Sequence, residues 1–522
     1  MNVPTAPYPA GDNPIDLTPR RSAQQRRDFI GACIAWCVVI PCVTYIIGMT
    51  AYSYRVTHHL PATFDPAKVP SVELLMTGRV AVGFGPIFSV LQAAQGAKPG
   101  TANPNLRAYE DQVKELANSP LEKLRAATVL GELAGKAAAL AELDQITPAS
   151  DGYATLAPDI QRLRVIYTRG PDALDEADRR ALVRRHGWFG QLAISLEKPN
   201  TDPVRHAALA PSQRAALTYM ALGVIVLIAF VAGLVLAIVA IVKLVQRRIR
   251  SAYAVHIPTP PPFPPQYVAV AGYDGAGVGA GAPLAYFTPP PPIIPSSPRG
   301  APFIEAFAIY LGGQFLIGQV LHYLIKDPNL AWEWVLLLFI PIPILWPRFR
   351  GIGKAEWKRA IGWHTGKGAA VEIGCGALGY LAGLPVLAAG MVVALLLGKF
   401  AHAKPTHPII IEFGRGIVPV VEVFALACIW APIVEETMFR GMLFHHLRRF
   451  GKGWRWLPSA LLTSFIFAAI HPQGWTFIPV LGALAFVFAG LREWRGSILT
   501  SATAHFIQNG VMIIVMVGVL GG

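Results

Sequence analysis

Long apolar runs alternate with short basic ones along most of this chain. A helix needs roughly 20 apolar residues to cross a bilayer, so each long run is an expected span. The first, Phe29 to Tyr52, follows Arg20, Arg21, Arg26 and Arg27. No small-residue cleavage site follows it, so it reads as a retained anchor, with residues 1–28 as a cytoplasmic tail. Residues 53–214 are of mixed polarity. Helical periodicity from Asn105 to Leu143, and the acidic turn after Pro171, predict a helical domain outside the membrane there. A second span is expected over 217–242. It closes on Lys243, Arg247, Arg248 and Arg250, which return the chain to the cytoplasm.

Residues 256–300 are rich in proline and glycine and read as a disordered or polyproline-II linker, with an SH3-type ligand as the lesser alternative. Residues 302–522 form a dense membrane domain. Its spans are expected at 302–325, 332–346, 368–398, 416–447, 457–471, 476–491 and 497–520. The stretch 476–491 is short enough to be re-entrant. The predicted fold class is therefore all-α, a polytopic membrane helical bundle of about nine spans with an inserted helical extracytoplasmic domain.

Composition agrees with the pattern. Of 522 residues, 53% are hydrophobic and only 15% charged, with mean hydropathy +0.44. The net charge of +14 comes from residues that flank the apolar runs, as orientation by positive charge requires, and a nucleic-acid partner is not needed to explain it. The expected setting is a multi-pass protein of a bacterial plasma membrane with its N-terminus in the cytoplasm and the lipid bilayer as its partner. The five cysteines, Cys33, Cys37, Cys42, Cys375 and Cys428, all fall in apolar stretches and read as buried small hydrophobes.

Two adjacent glutamates, Glu435 and Glu436, interrupt one apolar run. A carboxylate at the centre of a membrane helix costs roughly 2.5–3.5 kcal/mol on insertion scales, so such groups are functional candidates. Arg440 lies one turn beyond Glu436 on the same helix face and can pair with it, a supporting role. Glu435 points about 100° away and is left for chemistry. Two further pairs share a helix face, Phe467 with His471 and His505 with Asn509. Counted from the basic loops, Glu435, His471 and His505 lie at depths of roughly 20, 24 and 15 Å, which puts polar groups of three helices at one level.

The chemistry these groups suit is hydrolysis. Glu435 is the candidate base and His471 helps activate water or carries a proton to the leaving amine. His505 with Asn509 can polarise the scissile carbonyl, or Asn509 can simply orient His505. Phe439 and Phe467 are packing residues that line the pocket. Glu435, His471 and His505 would also be the ligands of a zinc ion, if one is bound. The His-Glu-x-x-His helix motif is absent, and the favoured mechanism needs no cofactor. No Gly-x-Ser nucleophile with a matching histidine and no Asp pair in the spans is found, which disfavours serine and aspartyl chemistry. His445, His446, Glu422, Glu372 and His322 read as structural, and the adjacent His58 and His59 as surface residues.

Together, Glu435-Glu436-Thr437-Met438-Phe439-Arg440, Phe467 with His471, and His505 with Asn509 resemble the CPBP family, the CAAX-processing and bacteriocin-processing intramembrane proteases. The resemblance covers a core at about 416–515 and makes 302–522 the protease domain. It implies peptide-bond hydrolysis in the membrane, with the first glutamate and a histidine activating water. A CAAX substrate implies prenylated proteins, so the implied partner is a membrane protein or lipidated peptide. The alternative is a non-catalytic transporter or immunity scaffold that keeps the fold. A proton relay needs only titratable groups along a path, and no inverted repeat is visible.

Overall fold

The computed structural model describes residues 23–53, 64–69, 71–96, 103–253, 300–324, 336–401, 413, 417–449 and 455–520. His58, His59 and nearly all of the expected 256–300 linker lie outside them, as does the His322 side chain. The described residues form an all-α membrane protein. Eight of its helices are long and apolar enough to cross a bilayer.

The region between the first two expected spans, the outer region for short, holds α2 (Val72–Ala94), α3 (Pro104–Leu116), α4 (Pro120–Leu133), α5 (Lys136–Asp144), α6 (Tyr153–Arg169), α7 (Glu176–His186) and α8 (Trp188–Ile194). Local chemistry explains their boundaries. Ser119 and Glu122 form a reciprocal capping box ahead of α4, and Asp175 caps α7 through the Asp178 amide. Leu121, Leu124, Leu156, Leu163 and Ile166 then bury their side chains in one core. Asp202 caps α9 (Pro203–Val245), a single helix of 43 residues that is part of the outer region at its start and carries exposed apolar residues such as Ile225 and Leu227 further on.

The membrane core adds α1 (Ala23–Ser53), α10 (Ala301–Leu324), the short α11 (Pro341–Phe349) and α12 (Lys354–Ile361), α13 (Ala369–Ala401), α14 (Ile417–Arg449), α15 (Trp456–Ala469), α16 (Ile478–Arg495) and α17 (Ile498–Leu520). Helix α13 lies against α16 so closely that a Cβ on Gly390 would meet the Pro479 carbonyl at 2.7 Å, the small-residue packing typical of membrane helices.

Several expectations change. The expected span 457–471 is α15, with only 14 residues. At about 21 Å it is shorter than the roughly 30 Å hydrocarbon layer. The expected span 332–346 is likewise a short apolar helix, Leu336–Phe349. The stretch 476–491 belongs instead to a longer helix, Trp475–Arg495. Within the mixed-polarity region expected to lie outside the membrane, Val72–Ala94 is long and apolar. Its apolar residues serve two contacts: Leu74 and Val82 join the outer core, while Val80 meets Ala215, Val515 and Val519. The cysteines also depart from expectation. Cys428 is buried, but Cys33 and Cys37 are exposed on α1, where the helix turns apolar side chains outward.

The outer region grips the core through α2. Arg79 donates to the carbonyls of Val519 and Leu520, both at 3.0 Å, at the end of α17. Leu75 and Met76 pack with Val420, Val423, Ile513 and Met516 of α14 and α17.

Candidate active site in the membrane core

Helix α14 is not uniform. Two widened π-helical stretches, Ala425–Trp430 and Glu436–Leu443, flank one short α-helical turn, Ala431–Glu435. Such widened turns are rare and are frequent at functional sites. Pro432 has no N–H to give to the preceding turn, which leaves a carbonyl there to be satisfied from outside. Asn509 does so, donating its amide to the Ala427 oxygen at 2.7 Å.

Glu436 is fully buried. Its Oε1 accepts from Arg440 Nη1 at 3.0 Å and lies 3.2 Å from His505 Nδ1. Arg440 is just as buried. Its Nη2 donates to the Ala485 carbonyl at 3.0 Å, and its guanidinium lies over Phe467 at 4.8 Å and Phe488 at 5.0 Å. Phe439 meets Phe467 edge-on at 5.0 Å, and Phe488 stacks on His505 at 5.1 Å. An aromatic box therefore encloses the ion pair and excludes water from it.

Glu435 has a different setting. Its Oε2 accepts no hydrogen bond from the protein, and lies 4.0 Å from His471 Nε2 and 3.9 Å from His505 Nε2. The His471 Nδ1 faces the Phe467 carbonyl, which can only accept, so this nitrogen carries the hydrogen. In the same way, His505 Nδ1 is turned to the Glu436 carboxylate. With their Nδ1 hydrogens so placed, both neutral rings direct an Nε2 lone pair at one carboxylate oxygen. Three acceptors from α14, α17 and the end of α15 converge without a donor between them. About a fifth of the side chain is exposed in both Glu435 and His471, at 22% and 19%.

The structure thus brings together Glu435, Glu436, Arg440, His471, His505, Phe439 and Phe467. Asn509 is one helical turn from His505, but its amide is spent on the α14 backbone. The donor types around Glu435 would suit zinc. Among the described residues, however, no group of three His, Cys, Asp or Glu is spaced to hold a metal ion, so the residues as placed do not form a metal site.

Residues 418–511 match the model of the Rce1-like family, type II CAAX prenyl endopeptidase Rce1-like. This match supports a CPBP family intramembrane protease over that segment. All eight candidate site residues lie within it. The chain is also similar to a protein of Escherichia coli called "Uncharacterized 24.3 kDa protein", with 29% identity over 182 residues, 33% of this chain and 69% of that one. No solved structure matches the chain.

One residue of the CPBP segment escaped the sequence reading. Arg492 looks like part of a basic loop, yet it is buried at the base of the site. Its Nε donates to the Arg440 carbonyl at 3.4 Å and its Nη2 to the Ala360 carbonyl at 2.6 Å. The signal was present, since Ala485, Phe488 and Arg492 recur at helical spacing on one face of α16. Of the residues read as structural, Glu372, His446 and His445 have partners or ring contacts. Glu372 binds Arg495 at 2.6 Å and Thr500 at 2.7 Å. His446 receives Trp36 Nε1 at 3.3 Å, and its Nδ1 meets the Gly300 carbonyl at 3.0 Å. His445 lies between the rings of Phe303 and Tyr253.

Proposed function

We propose that this chain is a glutamate-dependent intramembrane endopeptidase that hydrolyses a peptide bond of a membrane-associated protein or lipidated peptide. The observation that carries this reading is the convergence of His471 Nε2 and His505 Nε2 on Glu435 Oε2, a buried oxygen that accepts no hydrogen bond from the protein. A separation of 4.0 Å is too long for a direct hydrogen bond, but suits a bridging water with two legs of about 2.8 Å. Such a water donates one hydrogen to Glu435 and one to His471, and its lone pair is free to attack.

In the attack, the water oxygen bonds to the scissile carbonyl carbon and its proton passes to Glu435. The carbonyl π electrons move onto oxygen. His505, which takes a proton from solvent onto Nε2 before the attack and returns it after collapse, donates to that oxyanion, while Glu436 holds its Nδ1 hydrogen. Collapse re-forms the carbonyl and breaks the C–N bond, and the proton held by Glu435 reaches the leaving amine by way of His471. Arg440 neutralises Glu436, so that one carboxylate serves as a fixed partner and the other as the base. Asn509 supports the site by holding α14 at Ala427. The basic ends of α9, α14 and α16 are cytoplasmic in this reading, with α2 to α8 on the other side.

The test is cleavage of prenylated and unprenylated membrane peptides by purified protein in liposomes. Wild type, Glu435→Ala and Glu436→Gln are compared, each with and without chelator. Loss in Glu435→Ala with retention under chelator supports the reading. Loss under chelator that zinc restores overturns the metal-free form of it. Folded Glu435→Ala that cleaves as wild type does overturns the role of Glu435.

A further inference from the structure

A loop outside the CPBP segment reaches the turn that carries both glutamates. Residues 362–368 join α12 to α13, and the last residues of α12, Ala360 and Ile361, lead into them. Trp363 in this loop is 37% exposed and packs edge-on against Trp357 at 5.4 Å. Its indole Nε1 donates to Thr437 Oγ1 at 3.0 Å, and Thr437 Oγ1 donates to the Ile433 carbonyl at 2.7 Å. A hydroxyl has one hydrogen, so accepting from the indole and giving to the carbonyl forms a directional chain. That chain closes the turn 433–437, which contains Glu435 and Glu436. Here α14 passes from α-helical to π-helical winding, so the backbone alone does not dictate where the two carboxylates point.

The loop is fastened on every side. A Cβ on Gly441 would stand 2.8 Å from the Ile361 carbonyl, so only glycine lets the α14 backbone come this close. Arg492 bridges Ala360 and Arg440, and the Ile498 amide donates to Gly362 at 3.1 Å. One loop therefore touches the helices that bear Glu435, Arg492 and His505. Because it is anchored in all three, it can hold the indole still.

We infer that Trp363 is a positioning residue for the catalytic glutamate: its indole N–H sets the Thr437 hydroxyl on the Ile433 carbonyl and so fixes the direction in which Glu435 leaves α14. This rests on the hydrolytic reading above for its effect on rate, but not for its effect on the helix. Trp363→Phe removes the N–H and keeps the ring. Thr437→Val removes the hydroxyl and keeps the shape, and Thr437→Ser keeps the hydroxyl.

The experiment uses the full chain in liposomes for cleavage and in detergent for backbone hydrogen exchange. Trp363→Phe and Thr437→Val should each lower kcat about tenfold, the weight of one hydrogen bond, with KM changed by less than about twofold. Thr437→Ser should retain most of the rate. The double variant Trp363→Phe/Thr437→Val should be no worse than Thr437→Val alone, because the two side chains act as one chain. Exchange across residues 433–441 should quicken in Trp363→Phe, while α13 is unchanged. Wild-type kcat and wild-type exchange in Trp363→Phe would overturn the inference, as would losses that multiply in the double variant. If the wild type cleaves no peptide, the hydrolytic reading is what has failed, and the exchange measurement still decides the latch.

Discussion

The outer region holds Asp159 and the membrane core holds Glu435, and these two carboxylates have opposite surroundings. Asp159, fully buried in α6, is met by Arg162 Nη1 at 2.7 Å, Arg185 Nε at 2.7 Å and His186 Nε2 at 3.1 Å. One carboxylate has three cationic or donor partners there. In the core, Glu435 and Glu436 share one arginine, which belongs to Glu436. A buried charge surrounded by more partners than it needs holds a fold together. A carboxylate in a membrane helix with no protein donor on its inner oxygen is costly, and under the proposed function its retention serves the reaction. The contrast separates a satisfied buried carboxylate from one left without a protein donor.

The largest expected effect comes from breaking the reactive side. Glu435→Gln should lower kcat by about a thousandfold, within the range of a lost general base, with the melting temperature unchanged because no ion pair is lost. A large loss of thermal stability in that variant would place Glu435 with Asp159 as a structural group. Arg440→Ala should cost about 3–5 kcal/mol of stability, since it leaves Glu436 buried and unpaired. Thermal unfolding in detergent checks it, and a wild-type melt would deny the ion pair its role.

Asp159→Ala should destabilise the outer region by about 2–3 kcal/mol, less than a fully enclosed pair because Arg162 and Arg185 are partly exposed, and should leave α14 to α17 folded. Limited proteolysis of the outer region separates this from a global effect. Arg79→Gln, which loosens the hold of α2 on the end of α17, should cost about 1–2 kcal/mol. Hydrogen exchange at the α17 C-terminus reads it.

The smallest effect sharpens the comparison through pH. Burial pushes the His186 imidazole below its ordinary 6.5, against the pull of the Asp159 hydrogen bond. For Asp159 burial acts upward, but the His186 hydrogen bond and the Arg185 guanidinium outweigh it and hold the carboxyl below its ordinary 3.8. Both folded values are depressed. The stability each group contributes is therefore fully present above its unfolded pKa and lost as pH falls. The outer region should melt at a constant temperature above about pH 7, weaken as pH falls through about 6.5, and weaken again below about 4. His186→Gln should flatten the first step. A melt independent of pH from 7 to 5 would contradict the assignment.

Much of the site was legible in the chain because helical spacing is a local property. The four-residue step from Glu436 to Arg440 places them on one face, and they meet at 3.0 Å. The partner of Asn509 was not legible, because Ala427 is displaced from regular α-helical geometry by the π turns around Pro432. Nor was the burial of Arg492, since a run of arginines after an apolar segment has the same pattern whether it faces water or a protein carbonyl. The long apolar helix α2 was missed because its residues, sorted between an outer core and the ends of α14 and α17, show no single-faced periodicity.

By itself the sequence determined that this chain enters a membrane many times, which residues share a helix face, and which carboxylate has an intrahelical partner. These follow from hydropathy and from a repeat of 3.6 residues, which act within one segment. Only the tertiary structure decided that His471 and His505 direct Nε2 to the same Glu435 oxygen, and that a tryptophan from a distant loop reaches the turn beside it. Those distances are set by how closely neighbouring helices and loops approach, and that depends on contacts between residues far apart in the chain.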